Sequence, residues 1–514
     1  MVANDKDRPV SVLCQCDARA CGSIAGVPEI ELKLQVPAAG LPALKRAVCR
    51  GRVQRIHLRA LYFDTPERAL AAAGLALRLR REGRRWVQTV KGAGDGPIAR
   101  LEHEVVLSAS RDAPPLDPTR HDGTPEGDAL AAALGTDAAR LVLCFETDVW
   151  RTRRELREGG TRIELALDIG TIRAGASVMP VAEVEFELLH GGVDLLVAVA
   201  RRWALRHGLW LDTRSKALRG HLLAAGSAAE PAVKSSAPLL EAHENPDAAL
   251  RCIVRSALSQ ILPNASALAT EAGAPEHLHQ ARIGLRRLLA ALREFGAWSD
   301  AVDDQWAVNA RQVFGELGRA RDRDAIASAL SPALREAGAP LWQLSAETAA
   351  ADAGAVLRGP AATHCLLGLI GFACTTATAQ NDQERPALKE LAQARLGRLH
   401  RRVHRAGKGF ALQDSASRHR ARKRLKRLRY CAEFTSALWP ERAWAAYGER
   451  LRRAQDALGA MQDNAVAEPL YRAEAEHDPR AWFAVGWLVA RREALVAEAG
   501  RALRNLGRTP KFMR

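Results

Sequence analysis

The sequence predicts an α+β chain of several domains, with a closed sheet around a polar interior followed by an all-helical half. Three observations lead there. Residues 29–190 alternate short β-like runs with turns, residues 239–508 are helical throughout, and a basic motif in the helical half recurs at one offset. At 514 residues the chain exceeds what one hydrophobic core can serve, so two to four domains are expected.

Residues 1–26 contain Asp5, Asp7 and Asp17 and no sustained apolar run, so they predict a disordered extension rather than a signal peptide. Strand-like runs follow at Glu29–Val36, Arg59–Phe63, Ala76–Arg80, Trp86–Val90, Glu102–Leu107, Arg162–Leu167 and Ala182–Leu189. Charges recur with period two: Glu29, Glu31 and Lys33; Arg78 and Arg80; Glu183, Glu185 and Glu187. A single charged face would look at water. Many such faces in one domain point to a closed sheet with a polar interior. Residues 193–225 read as helices that complete this domain, 27–225. The Ala-, Ser- and Pro-rich stretch 226–238 reads as a linker.

In the helical domain, 239–508, His279, Arg282, Arg286, Arg287 and Leu288 are matched 140 residues later by His419, Arg422, Lys426, Arg427 and Leu428. Leu317-Gly318 with Asp322 is matched by Leu458-Gly459 with Asp463 at an offset of 141. Two motifs at nearly one offset predict two helical bundles, each opened by a basic helix.

The net charge of +16 and a pI near 9.9 favour polyanionic partners. Residues 231–514 hold 42 Lys and Arg against 30 Asp and Glu, whereas residues 1–230 hold 33 against 29. The excess therefore sits with the helices, and the first half mixes both signs densely. A site for a metal-bound phosphate chain needs that mixture, carboxylates for the cation and Arg/Lys for the anion. Nine scattered cysteines, Cys14, Cys16 and Cys21 among them, fit reduced thiols in a cytoplasmic protein. The most apolar segment, Cys365–Cys374, is too short to span a bilayer, so no membrane is expected. Nucleic acid is the rival polyanion. Aromatic residues are 5% of the chain, Tyr430 is the one aromatic in the second basic helix, and no nucleic-acid-binding motif is recognised, so no specific nucleic-acid partner is expected.

Glu29-x-Glu31-x-Lys33 lines up two carboxylates and an ammonium on one strand face, a set suited to Mg²⁺ or Mn²⁺ beside a phosphate. With it, Tyr62-Phe63-Asp64-Thr65, Leu77-Arg78-Leu79-Arg80, Thr89-x-Lys91, Ile163-Glu164-Leu165-Ala166-Leu167-Asp168 and Glu183-x-Glu185 resemble the CYTH domain over residues 27–225. That superfamily includes inorganic triphosphatases, thiamine triphosphatases and class IV adenylate cyclases, built on an antiparallel β-barrel with a hydrophilic tunnel. The resemblance implies metal ligands at Glu29, Glu31, Asp168, Glu183 and Glu185. It implies phosphate clamps at Lys33, Arg78, Arg80, Lys91, Arg151, Arg153 and Lys216. Around Arg151, Arg153 and Arg154 more than one register fits, and Glu187 is a candidate third member of the acidic face. Trp86 is the one candidate platform for the ring of an organic triphosphate.

In the second half, His279-x-x-Arg282-x-x-x-Arg286-Arg287 and His419-x-x-Arg422-Lys423-x-x-Lys426-Arg427-Leu428-Arg429 resemble the two hallmark helices of the CHAD domain. That resemblance implies two pseudo-symmetric four-helix bundles that bind inorganic polyphosphate through these residues. Together the two resemblances imply a metal-dependent inorganic triphosphatase joined to a polyphosphate-binding domain. A thiamine triphosphatase, a cyclase and a non-catalytic polyphosphate binder are the alternatives.

Overall fold

The computed structural model describes residues 29–507 apart from 95–97, 136–139, 243, 320–329, 341–351 and 376–385, together with 510 and 513. The N-terminal extension with Cys14, Cys16 and Cys21, and the repeat partner Asp322, lie outside the described residues.

Eight antiparallel strands form the first domain: β1 (Glu29–Gln35), β2 (Gln54–Asp64), β3 (Ala76–Glu82), β4 (Arg85–Ala93), β5 (Ala99–Leu107), β6 (Val142–Glu158), β7 (Thr161–Ala174) and β8 (Ser177–His190). They run in the order β5-β4-β3-β2-β6-β7-β8-β1, and pairing of Glu29 with Arg100 on β5 closes the barrel. The short β9 (Trp210–Leu211) adds to β1. Connections carry α1 (Leu41–Val48), α2 (Ala69–Ala72) and α3 (Pro125–Leu134). Asp64 caps α2 by accepting from the amides of Leu70 at 2.8 Å and Ala71 at 3.0 Å. The acid of the Tyr62–Thr65 motif is thus a helix cap.

Period two assigns the faces. On β1, Leu32 and Leu34 point outward; on β7 Leu165 and Leu167 do, and on β8 Val184 and Phe186. Helix α4 (Val193–His207) covers them with Leu196, Val197 and Ala200. The charged residues between therefore face the barrel axis. Helix α5 (Lys216–Ala224) fills one end of the barrel, where Ala217 and Leu223 pack with Tyr62, Phe145, Ile172 and Val181. Gly220 makes that insertion possible, because a Cβ there would lie 2.1 Å from the Phe145 ring.

The second half is helical. Helices α6 (Pro246–Ala269), α7 (Pro275–Phe295), α8 (Asp304–Arg319) and α10 (Pro360–Cys374) pack in a ring, with the short α9 (Ala353–Arg358) against them. Helices α11 (Leu388–Ala406), α12 (Ser415–Phe434), α13 (Glu441–Glu474) and α14 (Ala481–Asn505) form a second ring. The matched helices α7 and α12 touch each other across the seam. One apolar core runs from the outer face of β1, β7 and β8 through α4 into α6 and α10. Gly371 on α10 lets the helices approach, since its Cβ would sit 3.1 Å from Val197 on α4. No helix of the described residues is long and apolar enough to cross a membrane.

Candidate active site

The barrel encloses a cavity of about 850 Å³ above the α5 plug. Alternate residues of every strand face it; β2 contributes Ile56, Leu58, Ala60 and Tyr62, and the other seven strands of the barrel bring charge. Strand β1 brings Glu29, Glu31 and Lys33; β3 brings Arg78 and Arg80; β4 brings Lys91. Strand β5 adds Glu102 and Glu104, β6 adds Arg151 and Arg153, β7 adds Glu164 and Asp168, and β8 adds Glu185 and Glu187. Lys216 enters from the first turn of α5, whose N-cap Ser215 accepts from the Leu218 amide.

Most of these charges are paired. Arg78 contacts Glu102 at 3.3 Å, Arg80 contacts Glu104 at 3.1 Å, and Lys91 bridges Glu29 at 3.3 Å and Glu102 at 2.5 Å. Lys33 pairs with Glu31 and lies 3.9 Å from Glu185. Arg151 forks onto Asp168 at 2.8 and 2.6 Å and also donates to Glu185, while Arg153 reaches Glu164 at 3.1 Å. The carboxylates of Asp168, Glu183 and Glu185 converge with oxygens within 4.8 Å of one another, a spacing that can hold a cation. Here the Lys216 ammonium is that cation, 2.7 Å from Asp168, 2.9 Å from Glu185 and bonded to Glu183. Glu183 is wholly buried and also takes Arg219. Burial alone would pull the Lys216 ammonium down, but Asp168, Glu183 and Glu185 outweigh it and hold it above its ordinary value.

One group stands apart. Glu187 has no ion-pair or hydrogen-bond partner among the described residues. Burial, then Glu29, Glu164 and Glu31, push its carboxyl up to about 7. Glu29 is raised as well, chiefly by burial. This corner of the cavity carries more negative charge than its lysines and arginines neutralise.

The matched basic helices make a second charged surface. Arg282 and Arg286 on α7 lie over the Phe314 ring at 5.4 and 5.3 Å. Lys426 on α12 is pulled down to about 7 by burial and then by Arg286 and Arg422, with Arg429 contributing and Asp463 opposing. Four cations thus gather at the α7–α12 seam, where Asp463 acts on Lys426 and Arg429 holds Glu433 at 3.3 Å. Asp463 is itself raised by burial, against the pull of Arg422 and Lys426. His419 lies 3.0 Å from the Gln462 side-chain oxygen, His279 is half-buried on the α7 stripe, and Lys423 is exposed.

A family model described as the CYTH domain matches residues 27–221, and one described as the CHAD domain matches residues 252–472. The chain joins a CYTH domain to a CHAD domain. It is 30% identical over 204 residues to an inorganic triphosphatase of Haemophilus influenzae, a match covering 38% of this chain and 54% of that protein, so the chain spans about half the length of this relative. Among solved structures, the CHAD domain of Ricinus communis matches at 26% identity over 53% of this chain and 95% of its own, with a TM-score of 0.42. The Hippeastrum protein HpAC1, described as having a dominant triphosphatase activity, matches at 17% identity over 38% of this chain and 96% of its own, with a TM-score of 0.27.

The CYTH cavity settles the register that the sequence left open. Arg151 and Arg153 face inward, whereas Arg154 points outward over Trp203 and donates to the Arg50 carbonyl. Trp86 also faces away from the cavity, buried with its indole N–H donating to the Ser110 carbonyl at 3.2 Å. The expected ring platform is therefore part of the outer packing. In the CHAD domain two expected anion ligands are already engaged within the protein. Arg287 is 1% exposed, donates to Gln260 and to the Ser236 carbonyl, and lies over Phe434; it is a core residue. Arg427 pairs across the α7–α12 contact with the buried Glu294 at 3.4 Å, so it already has a carboxylate partner. Sequence reading missed Glu102, Glu104 and Glu164 as cavity residues, although the i, i+2 spacing of the first two was the same signal that singled out Glu29 and Glu31.

Proposed function

We propose that the CYTH domain hydrolyses inorganic triphosphate to pyrophosphate and phosphate with a divalent cation, Mg²⁺ or Mn²⁺, and that the CHAD domain binds inorganic polyphosphate. The observation that carries the first part is the polarised cavity. Glu29, Glu31, Glu164 and Glu187 form an under-neutralised acidic corner, and Arg78, Arg80 and Lys91 stand on neighbouring strands. A chain of phosphates needs the cations, and its bound metal needs the corner.

The donors fit a hard cation, because all are carboxylate oxygens and Glu187 has no other partner among the described residues. Glu29, Glu31, Glu187 and Glu185 are the residues we assign to hold it. Asp168 and Glu183, expected as ligands on resemblance, are assigned instead to fixing Lys216, Arg151 and Arg219. When bound, the metal supplies charge neutralisation and Lewis-acid activation of the phosphate. Arg78, Arg80 and Lys91 exchange their glutamate partners for phosphate oxygens. Lys33, Arg151, Arg153 and Lys216 take the remaining negative charge, at most partly exposed and poorly screened. Water attacks the terminal phosphorus in line. The bond to the bridging oxygen breaks, and these cations neutralise the pyrophosphate that leaves. The match to the Haemophilus protein supports this choice of substrate, as does the outward placement of Trp86.

For the CHAD domain, the gathering of cations where α7 meets α12 supports an anionic ligand. Arg282, Arg286, Arg422, Lys426 and Arg429 are assigned to it, with His279, His419 and the exposed Lys423 alongside.

Phosphate release from tripolyphosphate, ATP, thiamine triphosphate and long-chain polyphosphate, each with Mg²⁺ or Mn²⁺, tests the assignment. Fast metal-dependent release from tripolyphosphate alone is expected. Pyrophosphate from ATP, with tripolyphosphate intact, would make the domain a cyclase. No turnover of any of the four, with polyphosphate still bound, would leave a binding protein only.

A further inference from the structure

Where the two domains meet, α4 of the CYTH domain lies against α10 of the CHAD domain, and a second cavity of about 150 Å³ opens between them. Arg201, Leu205 and Leu209 come from the CYTH side. Arg358, Thr363 and His364 come from the end of α9 and the first two turns of α10. Among the described residues no carboxylate lines it. Arg201 makes no carboxylate contact among the described residues and donates to His364. Arg358 donates to the Ala269 carbonyl at 2.7 Å, to Glu271 at 3.1 Å and to Asp352 at 3.2 Å, so its charge is already shared with two carboxylates.

Two independent features make this more than a cationic crevice. Helix α10 has 15 residues and begins at Pro360 with no side-chain cap, so the positive end of its dipole is unscreened. Thr363, one turn in, is 3% exposed, lines the cavity, and its hydroxyl has no hydrogen-bond partner. Buried hydroxyls are nearly always bonded, because leaving one dry costs the whole of its desolvation. A ligand oxygen in the cavity would satisfy it.

We propose that this joint binds one tetrahedral oxyanion of the phosphate class, held by Arg201, the Thr363 hydroxyl and the amino end of α10, with Arg358 beside it. The size fits a single tetrahedron: the cavity equals about five water volumes at ~30 Å³ each, too little for a solvated chain of phosphates. The buried Leu209 and Leu367 exclude water on the apolar side and strengthen the charge contacts. Because its ligands come from both domains, the anion ties CYTH and CHAD together when bound. Inorganic phosphate is the probe of choice; that the protein's own reaction supplies it rests on the proposed hydrolysis, but the site does not.

Isothermal titration of the full chain with inorganic phosphate, without divalent metal, tests this. Arg201→Gln and Thr363→Val should each weaken one class of site by about tenfold. Tripolyphosphate hydrolysis and polyphosphate binding should be unchanged in both. Arg78→Gln, in the CYTH cavity, should leave that class of site intact. Sulfate should compete with phosphate there, and pyrophosphate should not. Wild-type phosphate binding in both joint variants would overturn the proposal, as would preferential binding of pyrophosphate. Crystals soaked in tungstate give a fold-independent check: tungsten at the joint is expected, and tungsten only in the barrel and at the α7–α12 seam would contradict it.

Discussion

The barrel cavity and the α7–α12 seam are both lined with arginine and lysine, yet they handle the charge in opposite ways. In the barrel nearly every cation already holds a carboxylate: Arg78 with Glu102, Arg151 with Asp168, Lys216 with three acids. At the seam Arg286, Arg422 and Lys426 gather with Asp463 as the acid that acts on Lys426 among the described residues, and Arg429 beside them holds Glu433 at 3.3 Å. A paired wall is stable when empty and can trade partners with a metal-bound anion. One with more cations than acids is strained when empty and gains by binding a bare anion. The difference separates a site suited to turnover from a site suited to retention.

The largest effect should come from breaking the paired wall. Arg151→Met leaves Asp168 and Glu185 short of a buried partner, and should destabilise the CYTH domain by on the order of 3 kcal/mol. It should also lower tripolyphosphate turnover by about 10²-fold or more. Thermal melts and phosphate release read the two effects. The same kind of change at the seam should do the reverse to stability: Lys426→Met removes a self-repelling buried cation, so the melting temperature should rise while polyphosphate affinity falls. A fall in both would show that the seam is as well paired as the barrel.

A smaller effect sharpens the contrast through pH. The Lys426 ammonium titrates near 7 in the folded protein and near its ordinary value of 10.5 unfolded. The unfolded chain therefore holds more protons between those values, and the stability of the ligand-free protein should rise with pH from about 7 upward. Polyphosphate favours the charged form, so its affinity should decline over the same window. Lys426→Arg should flatten both trends, measured by melting curves and equilibrium binding at pH 6.5 to 9. The smallest effect concerns register. Arg154→Gln should leave tripolyphosphate turnover near wild type, whereas Arg153→Gln should lower it several-fold.

Why part of this arrangement was readable in the sequence follows from the same geometry. Glu29, Glu31 and Lys33 alternate with Ile30, Leu32 and Leu34, so period two marks one polar and one apolar face. The 140-residue repeat marked the second basic helix in the same way. Arg151-Thr152-Arg153-Arg154 has no such contrast, because charge stands on both faces and only α4, lying outside with Trp203, decides where Arg154 goes. Arg286 and Arg287 are adjacent in a motif, but 100° apart on a helix; tertiary packing sends one over Phe314 and one into the core against Phe434. Trp86 was misplaced for want of its strand's facing, which Lys91, five residues on and therefore on the opposite face, would have supplied. Arg100-x-Glu102-x-Glu104 has the same-face spacing of Glu29-x-Glu31-x-Lys33, so these residues were visible in the sequence but went unused.

The most direct test is phosphate release from tripolyphosphate by the full chain across a Mg²⁺ titration, with Glu31→Gln beside the wild type. Release that needs the metal, and that falls at least about 100-fold in the variant, is the expected result. Equal rates with and without metal, or wild-type turnover in Glu31→Gln, would contradict a metal-dependent triphosphatase in the barrel.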